Sequence, residues 1–140
     1  MSQPAGGRGL LDTNTVILLP RITDGSTLPA EPVICTITLA ELSVGPLATD
    51  DPAERAARQA VLQQAEADFE PLPFDAPAAR AFGQVAAALR RAGRKTQARA
   101  YDALIAAVAL ANDLPLHTCN AVDFDAIDGL RVVTVPTPAT

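Results

Sequence analysis

The sequence predicts an α/β fold, with a mainly parallel central sheet covered by helices on both faces in a three-layer α/β/α arrangement. Two observations predict it. Strand and helix patterns alternate along the chain, and the strand candidates are dominated by Val, Ile and Leu, the composition of strands buried on both faces. A chain of 140 residues that is 49% hydrophobic suits one domain, long enough to bury roughly 68–70% of its unfolded surface.

Taken in order, "MSQPAGGRG" reads as a flexible tail over residues 1–9, with a single domain over 10–140. "RGLLD" reads as a short buried strand and "TNTVILL" as the helix or turn that follows. "PVICTI" is the next strand, and "TLAELSVGPLA" behind it carries helical spacing. Asp51, Pro52 and Glu54 make a helix start, followed by apolar residues at Ala57, Val61, Leu62 and Ala65. "EPLPF" is a strand edge weakened by its prolines. Asp75 and Pro77 open "AARAFGQVAAALRRAG", which Gly93 ends. "RAYDALIAAVALA" is apolar without interruption from Ala103 to Ala111, so as a helix it is buried on every side. "LPLHT" as strand, "NAVDFDAI" as short helix and "LRVVTV" as the last strand complete the alternation.

Several function classes are disfavoured at once. That apolar run is far short of the ~18–20 residues of a membrane span, and the first residues lack the apolar core of a secretory signal, so a cytoplasmic protein without membrane contact is expected. Cys35 and Cys119 lack metal-ligand spacing and are expected to be reduced thiols, and the lone His117 to be packed or solvated rather than a ligand. A net charge of −5 argues against a nucleic-acid partner in general. Its distribution does not. No acid occurs between Asp75 and Asp102, where Arg80, Arg90, Arg91, Arg94, Lys95 and Arg99 all fall. One edge is basic although the whole is acidic, which by itself also describes an ordinary solvated helix face.

In an open parallel sheet, ligands bind beyond the carboxyl ends of the strands, where helices begin. Asp12 ends the first strand, Glu41 lies in the first turn after the second, Asp102 is near the start of the buried helix and Asp123 follows the penultimate strand. Capping accounts for three of them. Asp12 can cap the helix at Thr13 and Asn14, Thr38 and Glu41 have capping-box spacing, and Asn120 and Asp123 are spaced alike. Asp102 resists that reading, because it sits inside the first turn of an all-apolar helix, where an unpaired charge is costly. If the four converge, two charges ~4 Å apart repel by about 4 kcal/mol at an effective dielectric of 20, so a cation is required. An all-oxygen site without His or Cys suits Mg²⁺ or Mn²⁺, as one or two ions. Such an ion activates water against a phosphodiester, and the basic edge from Arg90 through Arg91, Arg94 and Lys95 to Arg99 would steer a nucleic-acid backbone.

"LLDTN", "TLAEL", "AYDALIAAVALANDLPLHTCNAVDF" and "GLRVVTV" together resemble a PIN domain, specifically the VapC toxins of bacterial toxin–antitoxin pairs. The resemblance runs from Leu10 to Val135. It implies a metal-dependent endoribonuclease acting on tRNA, rRNA or mRNA, with Asp12, Glu41, Asp102 and Asp123 as the acidic set. Asn14, Thr118 and Asn120 would be polar neighbours orienting ligands or water. It also implies a homodimer held inactive by a cognate VapB-type antitoxin. Cys119 stands where members often carry a basic residue, which removes one expected phosphate contact and leaves the acids untouched.

Three other readings compete. A haloacid-dehalogenase-like phosphohydrolase would use Asp12 as nucleophile, but a cap, a placed Lys and a terminal acidic pair are hard to find. A phosphoacceptor receiver would want adjacent acids after the first strand, where Thr13 stands. A PIN-like domain that binds RNA or a partner without cleaving differs only in function, and the presence of all four acids weighs against it.

Overall fold

The computed structural model describes residues 7–95 and 99–139. The elements run β1 (Arg8–Leu11), α1 (Thr13–Leu18), β2 (Glu31–Val33), α2 (Thr36–Val44), α3 (Pro52–Asp68), α4 (Ala76–Arg91), α5 (Ala100–Ala111), β3 (Leu116–Thr118) and β4 (Val132–Thr134). Residues 1–6 of the expected tail lie outside the described residues, and β1 already begins at Arg8. All four strands are parallel, in the order β2-β1-β3-β4.

Alternation along the strands divides the core into two layers. Leu10 and Leu116 pack with Val85 and Leu89 of α4 and with Ile105 and Val108 of α5. Leu11, one residue on, turns to the other face and joins Ile34, Val16, Leu42 and Ala65 from the α1, α2 and α3 side. Helix α5 is buried as its composition requires. Ala103, Ala106, Ala107 and Ala109 line it beside Ile105 and Val108, and their small side chains let α4 lie close along it.

Local signals set the helix ends. Asp51 and Asp75 accept from the backbone N–H of Glu54 and Ala78, each at 3.2 Å, with Pro52 and Pro77 in the first turns where no N–H is missed. Gly93, at φ +74°, closes α4 as the Arg94 N–H bonds back to the Leu89 carbonyl at 2.8 Å.

Three expectations are corrected. The strand read through "PVICTI" stops at Val33, and α2 starts at Thr36 with Cys35 as N-cap residue. Leu72 is the cause, pairing on both sides of Cys35: its N–H donates to Ile34 O and its carbonyl accepts from Thr36 N. Thr38 is therefore inside the helix, and Thr38 with Glu41 is no capping box. "EPLPF" shrinks to that single bridge, because Pro71 and Pro73 have no N–H to give a ladder. "NAVDFDAI" contains one 3-10 turn, Ala121–Asp123, whose N-cap Asn120 makes no side-chain cap bond.

His117 is packed, at 2% exposure, with Nδ1 2.7 Å from the Thr27 carbonyl. Its ring lies against Gly9, where a Cβ would come within 2.6 Å of it. Both cysteines are free thiols. Among the described residues, no helix is long and apolar enough to cross a membrane.

Candidate active site

The strand order reverses direction between β1 and β3, so the crevice of this sheet opens at their carboxyl ends. Asp12 stands there, 2% exposed. It caps α1 as expected, Oδ1 accepting from the Thr15 N–H at 3.1 Å, but that is half of its bonding. Oδ2 accepts from the Thr118 hydroxyl at 2.6 Å, tying the end of β1 to the end of β3. Thr118 Oγ1 in turn accepts from the Asn120 N–H, and Thr15 Oγ1 from the Cys119 N–H. The turn after β3 is thus fixed to the turn after β1 by two threonine hydroxyls.

Glu41 reaches the crevice from α2. Its Oε1 lies 2.5 Å from Thr13 Oγ1, which is 3.1 Å from Thr38 Oγ1. Having one proton, the Thr13 hydroxyl donates it to the carboxylate and accepts from Thr38. Burial pushes the Glu41 carboxyl above its usual range, the Thr13 bond opposes this, and the charge of Asp12 adds to it.

Asp102 enters from the first turn of α5. Its pKa is pushed up to about 6, first by loss of solvent and then by the charges of Asp12, Asp123 and Glu41, with Arg99 opposing. Four acids from four separate segments therefore share one electrostatic environment. Asp123, in the 3-10 turn after β3, is held by Arg99 Nη1 at 2.5 Å.

The remaining candidates divide. Asn120 takes part through its backbone, while Asn14 is exposed beside Asp12. Three of the basic residues are spent on the loop carrying Asp123. Arg99 pairs with Asp123, Arg94 bonds Asp125 at 2.8 Å and the Val122 carbonyl at 2.9 Å, and Arg91 pairs with Asp128 at 3.2 Å. Arg90 and Lys95 stay exposed and take no part in an ion pair among the described residues. Sequence reasoning missed Thr13, Thr15 and Thr38. The signal available was the hydroxyl spacing in "DTNTV", which reads as ordinary helix-start chemistry.

The donor set suits a hard divalent cation, because all its donors are oxygens and, beside burial, the charges of the other three carboxylates raise Asp102. Among the described residues no three of these acids are grouped tightly enough to hold one ion by themselves.

This sheet order with acids at the switch point defines a class, and the PIN domain model matches residues 10–130. The chain belongs to the PIN-domain family. Within it the chain is a VapC-type member, 39% identical over 129 residues to Ribonuclease VapC5 of Mycobacterium tuberculosis (strain ATCC 25618 / H37Rv), covering 91% of this chain and 93% of that protein. The crystal structure of VapBC-5 from Mycobacterium tuberculosis, a member of the VapBC family of toxin-antitoxin systems, matches with a TM-score of 0.80 at 37% identity, covering 92% of this chain and 99% of that one. DNA-bound VapBC from Salmonella typhimurium matches with a TM-score of 0.70 at 28% identity, over 91% and 97% of the two chains. Membership displaces the phosphohydrolase and receiver readings.

Proposed function

We propose that this chain is a metal-dependent endoribonuclease, the cytoplasmic toxin of a VapBC-type toxin–antitoxin pair, cutting phosphodiesters of tRNA, rRNA or mRNA. What supports the reading is that Asp102, raised to about 6 first by burial, also feels the charges of Asp12, Asp123 and Glu41 beyond the carboxyl ends of β1 and β3. These four would hold Mg²⁺ or Mn²⁺, as one or two ions. When bound, the metal supplies a water acidic enough to act as nucleophile near neutral pH and offsets charge developing on the phosphate oxygens.

The protein's own part is positioning. Asp12 is locked by Thr15 and Thr118, so its carboxylate needs no reorganisation to meet a cation. Thr13 orients Glu41 and leaves its second oxygen available. The positive end of α5 partly offsets the cost of an ionised Asp102. Arg90 and Lys95 offer the exposed cations for the RNA backbone. The VapBC relatives are complexes of toxin with antitoxin, which supports a VapB-type antitoxin and a homodimer for this chain.

The spacing of the acids is the feature that would favour a non-cleaving, RNA- or partner-binding PIN domain instead. Sequencing RNA ends after incubation with total bacterial RNA separates the two. Discrete cuts that need Mg²⁺ or Mn²⁺, vanish in EDTA and are missing from Asp102→Asn are expected. A folded, metal-binding protein that leaves every RNA intact would favour the binding role.

A further inference from the structure

Arg99 is the N-cap residue of α5, three positions before Asp102, and reaches across the fold to Asp123 at 2.5 Å. The two side chains are partly enclosed, at 36% and 29% exposure. Of the three arginines on this loop, only Arg99 ends on an acid of the site. Arg94 and Arg91 take Asp125 and Asp128, further along the chain. Arg99 also acts on Asp102, against the three carboxylates that lift it. A guanidinium cannot leave such a site by losing its proton, so this positive charge is permanent. A divalent cation arriving at Asp123 meets it directly, and like charges at one carboxylate oppose each other.

We propose that Arg99 is the resident counter-ion of the acidic site, pairing with Asp123 when no divalent cation is bound and yielding that carboxylate when one binds. The inference rests on the metal-dependent reading above. It makes Arg99 a positioning residue that raises the cation concentration at which the site fills. Without the ion the acids are partly neutralised by the chain itself, and ion binding frees a planar fork of N–H donors beside them.

The test is the Mn²⁺ affinity of the full chain by calorimetry at neutral pH, for wild type, Arg99→Gln, Arg99→Lys and the control Asp102→Asn. Arg99→Gln is expected to bind Mn²⁺ about 2- to 5-fold more tightly, the effect of removing one partly exposed ion pair as competitor. Arg99→Lys, which keeps the charge, should stay near wild type. A residue that merely props Asp123 in place as a ligand gives the opposite sign, so equal or weaker binding by Arg99→Gln overturns the proposal. Should that variant fail to fold, the wild type decides through the Arg99 Nε–H resonance. A shift that saturates with the calorimetric affinity is expected during Mg²⁺ titration, and an unmoved signal at saturation overturns the proposal. Absence of Mn²⁺ binding to the wild type would remove the metal reading and this inference with it. Binding that is lost in Asp102→Asn but not tightened in Arg99→Gln would remove this inference alone.

Discussion

The Thr118 hydroxyl does more than its size suggests, because it gives one oxygen of the buried Asp12 its partner and joins two neighbouring strands. Thr118→Val keeps the shape and removes the bond, leaving a buried carboxylate oxygen unsatisfied. We expect a loss of about 1–3 kcal/mol, read by urea denaturation, with weakened Mg²⁺ binding. Asp102 predicts a change of opposite sign. Its folded pKa of about 6 lies above the ordinary aspartate value of 3.8, so between those values the native state binds more protons than the unfolded one. The resulting stabilisation is fully present below pH ~4 and is lost as pH rises through 6. In EDTA, Asp102→Asn should therefore melt close to wild type near pH 4 and increasingly above it toward pH 7, by about 3–6 °C for a gain of roughly 1–2 kcal/mol. Excess Mg²⁺ should shrink or reverse that gap, as the ion stabilises only the chain that keeps the carboxylate. A melting difference that does not change with pH would show that Asp102 ionises without strain. Asp12 and Asp102 were legible in the sequence, since each adjoins a strong local signal, a strand end or an all-apolar helix. Thr13 and Thr15 were not, because a hydroxyl beside a helix start looks the same whether it caps or serves a carboxylate, whereas Thr118 was named through the family resemblance.

Among the elements, β1 and β3 are held in register by an unusually close contact. The His117 ring occupies the space a side chain at Gly9 would fill, with Pro29 Cβ 2.8 Å from the same point. Gly9→Ala should cost about 1–3 kcal/mol as overpacking. His117→Ala should also destabilise, by leaving a cavity, and the double variant should lose less than the sum, a coupling that a denaturation cycle measures. Additive losses would mean that Pro29, not His117, is the obstacle. Helices α3 and α4 were readable because an Asp cap and a first-turn proline mark each start, and α5 because its uninterrupted apolar run is too long for a strand. The start of α2 was not. "PVICTIT" is rich in β-branched residues that suit a strand, and only the pairing of Leu72 around Cys35 ends the sheet there.

For the whole molecule, the charge balance limits how RNA is held. The net charge is −5, and Arg91, Arg94 and Arg99 are committed to Asp128, Asp125 and Asp123. Few cations remain to release counterions from RNA. Binding of a non-cleavable oligonucleotide should weaken only gently with salt, with a log–log slope of about −1 to −2 for single strands. A slope of about −3 or steeper would mean that the paired arginines leave the loop for phosphate. The sequence by itself determined the three long helices, the order of the segments, and that Asp12 and Asp123 follow strands while Asp102 opens a buried helix, because capping, periodicity and apolar composition act within a few residues. Only the tertiary structure decided which of these segments meet, that Thr13 bonds Glu41 and Thr118 bonds Asp12, and that three arginines pair with one loop. Those partners lie 24 to 37 residues apart for the arginines and 106 for Thr118 and Asp12, and such distances are set by strand order and helix packing rather than by local preference.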